Sequence, residues 1–143
     1  MNQAEILYIE DNEDYIEFVK RAIRKINAEL HFGVATDGKN ALAIFEEEER
    51  KKRLPRLILL DINLPDYNGL DLLKKLRGNK ATRYIPIVML SSSENQSDMK
   101  KAFDNGANAY LIKPIGIAPL TDVLNSVCNF WLNHNQIVEH IAA

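Results

Sequence analysis

The chain has 143 residues, 46% of them hydrophobic and 27% charged, which is enough for one domain whose core needs no disulfide or metal staple. A net charge of −2 without a basic patch argues against nucleic-acid binding, and no apolar run approaches the roughly 18 residues of a membrane span. The lone Cys128 and the lack of a basic-then-apolar start point to a reducing, cytoplasmic setting.

Ile6-Leu7-Tyr8-Ile9 reads as a first strand ending in two acids, Glu10-Asp11. Asn12, Glu13 and Asp14 offer N-cap chemistry, and Ile16, Val19, Ala22, Ile23 and Ile26 mark an amphipathic helix to about Asn27. Leu30 to Ala35 reads as a second strand, and Asp37-Gly38 as a turn. Ala41, Leu42, Ile44 and Phe45 begin a second helix, expected to give way to a solvated helix end and loop over the charge run Glu46 to Arg53.

The third strand, Leu57-Ile58-Leu59-Leu60, is aliphatic at every position, as a central parallel strand buried on both faces would be. Asp61 stands where it runs out, ahead of a loop containing Pro65 and Gly69. Leu70, Leu72, Leu73 and Leu76 give a third helix leaving at Gly78-Asn79. Ile87 to Leu90 is a fourth buried strand ending in Ser91-Ser92-Ser93, and a fourth helix spans about Gln96 to Asp104. Ala109 to Ile112 is the fifth strand, ended by Lys113-Pro114. The last helix begins near Ala118 with Leu120, Val123, Leu124, Val127 and Trp131 as its core stripe.

Five strands alternating with five helices predict a doubly wound (βα)5, flavodoxin-like α/β sandwich with a parallel sheet in the order 2-1-3-4-5. Its topological switch would bring the strand end at Glu10-Asp11 beside the one at Asp61. Phe130, Trp131, Ile137, Val138 and Ile141 extend apolar character past the length that five-residue strands can cover. A frayed tail and a contact surface both remain open there, with the clustering of the apolar residues favouring contact. The domain is taken as 1–143, its core about 4–132 and its tail 133–143.

Three carboxylates converging from two neighbouring strands repel one another, and such a compact oxygen-rich pocket suits a hard divalent cation such as Mg²⁺. One carboxylate could then attack phosphorus and form an acyl phosphate, and Asp61 is the more accessible choice. Phosphoryl transfer is mainly positioning and electrostatics, for which Ser91 offers a hydroxyl and Lys113 an ammonium at neighbouring strand ends. Taken singly, Lys113 reads as a structural salt bridge and Ser91 as a helix cap. Lys113-Pro114 raises a cis bond that would aim the lysine, although the residues alone do not establish it.

With Glu10-Asp11, Asp61, Ser91, Lys113-Pro114 and the Leu64-Pro65-x-x-x-Gly69 loop in this order, the chain resembles the receiver domain of two-component response regulators over nearly its whole length. The resemblance implies that Asp61 is the phosphoacceptor for a histidine kinase or phosphotransfer protein. It implies that Asp11 and the Asn63 carbonyl bind Mg²⁺ directly and Glu10 through water, with Asp61 also on the metal. Ser91 would be the switch hydroxyl, Lys113 the neutralising cation and Tyr110 the aromatic switch; alternatively Tyr110 packs on the last helix. Glu10 stands where Asp is commoner and Ser91 where Thr is frequent, and both keep the chemistry. Asn63 and Ser93 occupy positions that tune hydrolysis in receivers, and neither supplies an acid.

Within that family the chain is most similar to small single-domain regulators associated with phytochrome-type and other bacterial histidine kinases. This second resemblance rests on the charged segment Glu46 to Arg53, Ile85-Pro86 and Phe130-Trp131-Leu132. It implies a possible homodimer through a face including the fourth and fifth helices. No output domain follows the last helix, so the signal is expected to leave through contact with a downstream protein, by way of the fourth helix, fifth strand and fifth helix. Catalysis would be confined to the chain's own phosphorylation and dephosphorylation.

Other readings fit less well. A haloacid-dehalogenase-type phosphatase would want a second acid two residues after Asp61, where Asn63 stands. A pseudo-receiver would be expected to have lost an acid or the lysine, and His31, His134 and His140 lack metal-ligand spacing.

Overall fold

Successive residues of a strand face opposite sides of a sheet, and in this chain that alternation decides which helices each side receives. The computed structural model describes residues 4–138. It contains β1 (Ile6–Ile9), α1 (Glu13–Ile26), β2 (Phe32–Ala35), α2 (Gly38–Arg50), β3 (Leu57–Leu60), α3 (Gly69–Gly78), β4 (Ile87–Ser91), α4 (Gln96–Asp104), β5 (Ala109–Ile112) and α5 (Ile117–Cys128). The strands form one parallel sheet in the order β2-β1-β3-β4-β5, as the alternation of elements predicts.

Leu7, Ile9, Ile58, Leu60, Ile87 and Met89 face one core with Phe45 of α2, the leucines of α3 and Ala102 of α4. Ile6, Tyr8, Leu57, Leu59, Val88 and Leu90 face the other with α1 and α5. Every residue of β1 and β3 is buried, as expected of strands covered on both sides. Burying each Leu or Ile this completely contributes about 1.5–3 kcal/mol. The helices begin where side chains take up free N–H groups. Asn12 accepts from Tyr15 N–H, Asn68 from Leu70 N–H and Asn95 from Ser97 N–H.

α2 runs into the charge run as far as Arg50 and a loop follows, as expected, with Glu47 paired to Arg50 and to Lys51 at 3.3 Å. Other expectations change. Beyond Cys128, residues Asn129–His134 form a wider π-helical turn. Cys128, still in α5 and four residues after Leu124, is buried by regular helix spacing; in the wider turn Leu132 is buried, Trp131 is half-buried and Phe130 is exposed. Residues 135–138 after it are not helical, with Ile137 half-buried and Val138 exposed; Ile141 lies outside the described residues. Finally, Tyr110 does not pack on the last helix. Its neighbours Ala109 and Leu111 turn to the α1/α5 core, while Tyr110 packs on the α2–α4 side.

At the end of the sheet away from Asp61, Arg77 of α3 ties three segments together. Its guanidinium donates to the carbonyls of Gly106 and Ile85, each at 2.8 Å, and to Asn108 Oδ1 at 2.6 Å. Asn108 Oδ1 also accepts from Ile87 N–H at 2.8 Å, so the start of β4 is held through the same group. Lysine cannot span this set of acceptors. Arg77→Lys is therefore expected to lower stability to urea by about 2–3 kcal/mol. A loss below about 0.5 kcal/mol in equilibrium unfolding would contradict the hub.

Candidate functional site

The same alternation aims the candidate residues. Glu10 follows Tyr8, Asp61 follows Leu59 and Lys113 follows Leu111 by two positions, so all three inherit the α1/α5 side of the sheet. Ser91 and Tyr110 have the parity of the opposite side, with Met89 and the α2–α4 core. β1 and β3 are direct neighbours, which places Glu10 beside Asp61.

One carboxylate oxygen from each of Glu10, Asp11 and Asp61 lies within 4.8 Å of the others. Glu10 is 1% exposed and Asp61 4%, whereas Asp11 is open to solvent. Three hard oxygen donors, two buried and one facing solvent, fit a divalent cation that keeps part of its water. Lys113 Nζ donates to Glu10 Oε1 and lies 3.4 Å from Asp61 Oδ2. The Lys113–Pro114 bond is trans, as is every peptide bond among the described residues, so the lysine reaches the acids without a cis linkage.

Burial and the neighbouring Glu10 charge push Asp61 up to about 6, against the pull of Lys113 and the Ile62 N–H. For Glu10, burial is outweighed by the hydrogen bond and charge of Lys113, which hold it below the usual carboxylate value. The lysine thus belongs mainly to Glu10, and Asp61 bears the cost of the crowding.

Two tyrosines complete the site that the sequence reading did not single out. Tyr8, fully buried, donates to Glu10 Oε1 at 2.9 Å, and burial drives its phenol far above its ordinary range. Tyr15 places its ring 4.7 Å from Lys113 Nζ and donates its hydroxyl to the Pro114 carbonyl at 3.2 Å. Tyr8 was signalled by its period-two relation to Glu10. Tyr15 had no comparable signal, because its partners come from a loop 99 positions away.

Asn63 lies in the loop after Asp61 with its side chain exposed, bridged to Asn68. Gly69 closes this loop with an N–H bond to the Ile62 carbonyl at 2.6 Å, and a Cβ there would stand 2.1 Å from the Asp61 carbonyl oxygen. Only glycine fits so close an approach. Ser91 is completely buried, and its Oγ accepts from Ser93 N–H at 3.2 Å. Tyr110 donates its hydroxyl to the Ser93 carbonyl at 2.9 Å, tying β5 to the loop after β4. The structure brings Glu10, Asp11, Asp61 and Lys113 together, and sets Ser91 and Tyr110 around Ser93 on the next strand ends. Phe130, Trp131, Ile137 and Val138 belong to the chain's end and not to this group.

The profile of the response regulator receiver domain matches residues 6–125, which span all five strands and the acidic cluster. The chain belongs to the response regulator receiver family. It is 33% identical over 132 residues to the probable methanogenesis regulatory protein FilR2 of Methanothrix harundinacea, covering 92% of this chain and 85% of that protein. The phosphorylated cyanobacterial phytochrome response regulator RcpA superposes with a TM-score of 0.86 at 27% identity, covering 96% of this chain and 99% of that one. The Mn(2+)-bound form of response regulator Rcp1 gives 0.82 at 27% identity over 93% and 97% of the two chains. The likeness to phytochrome-associated single-domain regulators thus extends beyond the loops that first suggested it.

Because the neutral form of Asp61 is favoured in the folded state, native stability falls as pH climbs from the ordinary carboxyl range of about 4 toward 6. Asp61→Asn removes that penalty and keeps an oxygen for the Ile62 N–H. In chelator at pH 7 the variant is expected to be about 1–2 kcal/mol more stable than the parent, the gap narrowing as the pH falls and closing near pH 4. A variant less stable than the parent at pH 7 would contradict this balance of charge.

Proposed function

We propose that this receiver accepts a phosphoryl group on Asp61 in a reaction that requires Mg²⁺, from a phosphohistidine of a histidine kinase or phosphotransfer protein. The observation that carries the proposal is the buried Asp61 carboxylate, grouped with two further acids and faced by Lys113. The RcpA and Rcp1 structures, one phosphorylated and one Mn(2+)-bound, support the same reading.

Asp61 is ionised for the most part at neutral pH and attacks the donor's phosphorus; the Asp61 oxygen–phosphorus bond forms while the phosphorus–nitrogen bond to imidazole breaks. Glu10, Asp11, Asp61 and the Asn63 carbonyl would hold the cation, with Glu10 acting through water. When bound, Mg²⁺ offsets the negative charge of the carboxylates and of the phosphoryl oxygens. Lys113 supplies a second positive charge to the transferred group, and Tyr15 steadies the lysine by its ring and by holding Pro114. Tyr8 fixes Glu10.

Ser91 is the hydroxyl that bonds the phosphoryl group, and Ser93 and Tyr110 follow its movement. Tyr110 is therefore the switch that passes the state of Asp61 to the face formed by α4, β5 and α5. Phe130, Trp131, Ile137, Val138 and Ile141 are proposed as contacts for a second copy or a downstream protein near this face. The setting proposed is the cytoplasm, and the chemistry acts on the chain itself and on no separate substrate.

Intact mass after incubation with Mg²⁺ and acetyl phosphate tests the core of this reading. The parent is expected to gain one phosphoryl group and Asp61→Asn none. An unlabelled parent, under conditions that label another receiver, would leave a binding module that does not use phosphate.

A further inference from the structure

The loop that follows Asp61 is fastened at its far side to α2, a helix that contributes no residue to the proposed site. Asp66 Oδ1 accepts the Gly38 N–H at 2.8 Å, and Oδ2 accepts the Lys39 N–H at 2.9 Å. Asp37, the local cap of α2, takes the Asn40 N–H at 2.6 Å. The first-turn donors of α2 are therefore shared between its own cap and a carboxylate from the loop after β3. These donors outweigh the slight desolvation of Asp66 and hold its carboxyl below the ordinary value.

A second contact sits beside the first. The Tyr67 ring lies against Gly38 so closely that a Cβ there would fall 2.4 Å from a ring carbon. Lys75 Nζ stands 5.8 Å from the centre of the same ring. The near side of the loop is closed by the Ile62–Gly69 hydrogen bond and the Asn63–Asn68 bridge. Asn63 thus lies between two fastenings, one to its own strand and one to another helix.

We propose that Asp66 is a positioning residue for the cation site, which fixes the backbone around Asn63 by latching its loop to the first turn of α2 and so couples cation binding to that turn. This rests on the assignment of the Asn63 carbonyl to Mg²⁺. A loop held before the cation arrives does not have to be ordered on binding. By reciprocity, a cation that draws the loop into place must also tighten the latch, so that the Gly38 and Lys39 amides report the state of a site to which neither belongs.

The test is calorimetric titration of the full chain with Mg²⁺, comparing the parent with Asp66→Asn, which keeps one acceptor oxygen, and Asp66→Ala, which keeps none. Amide hydrogen exchange at Gly38 and Lys39 is followed with and without Mg²⁺. Asp66 is exposed, so neither variant disturbs a core. Mg²⁺ affinity is expected to fall about 5-fold or more in Asp66→Ala and less in Asp66→Asn. In the parent, Mg²⁺ should slow exchange at both amides, and in Asp66→Ala that effect should be lost.

Unchanged Mg²⁺ affinity in Asp66→Ala, or exchange at both amides of the Mg²⁺-bound parent no slower than without the cation, would overturn the latch even if the variant melted at a lower temperature. A parent that did not bind Mg²⁺ would overturn the cation-site assignment itself. The two failures are therefore distinguishable.

Discussion

Two carboxylates buried side by side, with one ammonium to answer them, set the terms for this structure. Glu10 and Asp61 emerge from neighbouring strands because a doubly wound sheet reverses its strand order between β1 and β3. Lys113 comes from the far edge of the sheet and bonds Glu10, leaving Asp61 the weaker acid. Asp11 adds a third carboxylate at the rim. An arrangement so short of positive charge disfavours its own folded state and favours any compact cation that joins it. The properties that a structural salt bridge would minimise are those that a cation and an incoming phosphoryl group can use.

The proposed phosphoacceptor and the proposed switch residues occupy opposite sides of the sheet. Tyr8, Glu10, Asp61 and Lys113 have the parity of the α1/α5 side, whereas Ser91 and Tyr110 have that of the α2–α4 side. Ser93 joins the latter pair, since it donates its N–H to Ser91 Oγ and accepts the Tyr110 hydroxyl at its carbonyl. A shift of the β4–α4 loop would therefore be felt by both residues at once. The hub at Arg77 holds the opposite ends of β4 and β5, so the strand ends near Ser91 and Lys113 have a fixed base to move against.

Much of this was legible in the sequence because strand ends in a parallel sheet carry strong signals. Aliphatic runs broken by Glu10, Asp61, Ser91 and Lys113 predicted both the topology and which side chains would meet at one rim. The signals failed where the partner is distant or the helix geometry changes. Tyr15 and Asp66 look like ordinary surface residues until the Pro114 loop and the start of α2 are brought to them. The stripe through Trp131 assumed 3.6 residues per turn, and the π-helical turn after Cys128 buries Leu132 while Trp131 is half-buried. Tyr110 was open between a switch and a contact with α5, and the alternation of β5 settles its packing on the other side. The run Glu46 to Arg53 was legible as a solvated helix end and loop, but charge patterning alone does not say that the helix stops at Arg50.

Equilibrium unfolding as a function of Mg²⁺ concentration tests the shortage of positive charge most directly. The account predicts that the parent becomes more stable by about 1.4 kcal/mol for each tenfold rise in Mg²⁺ above its dissociation constant, at constant ionic strength. The gain should be largely absent in Asp61→Asn, whose pocket no longer carries the third charge. Unfolding that is indifferent to Mg²⁺ in the parent, or a rise of the same size with a monovalent salt, would contradict it.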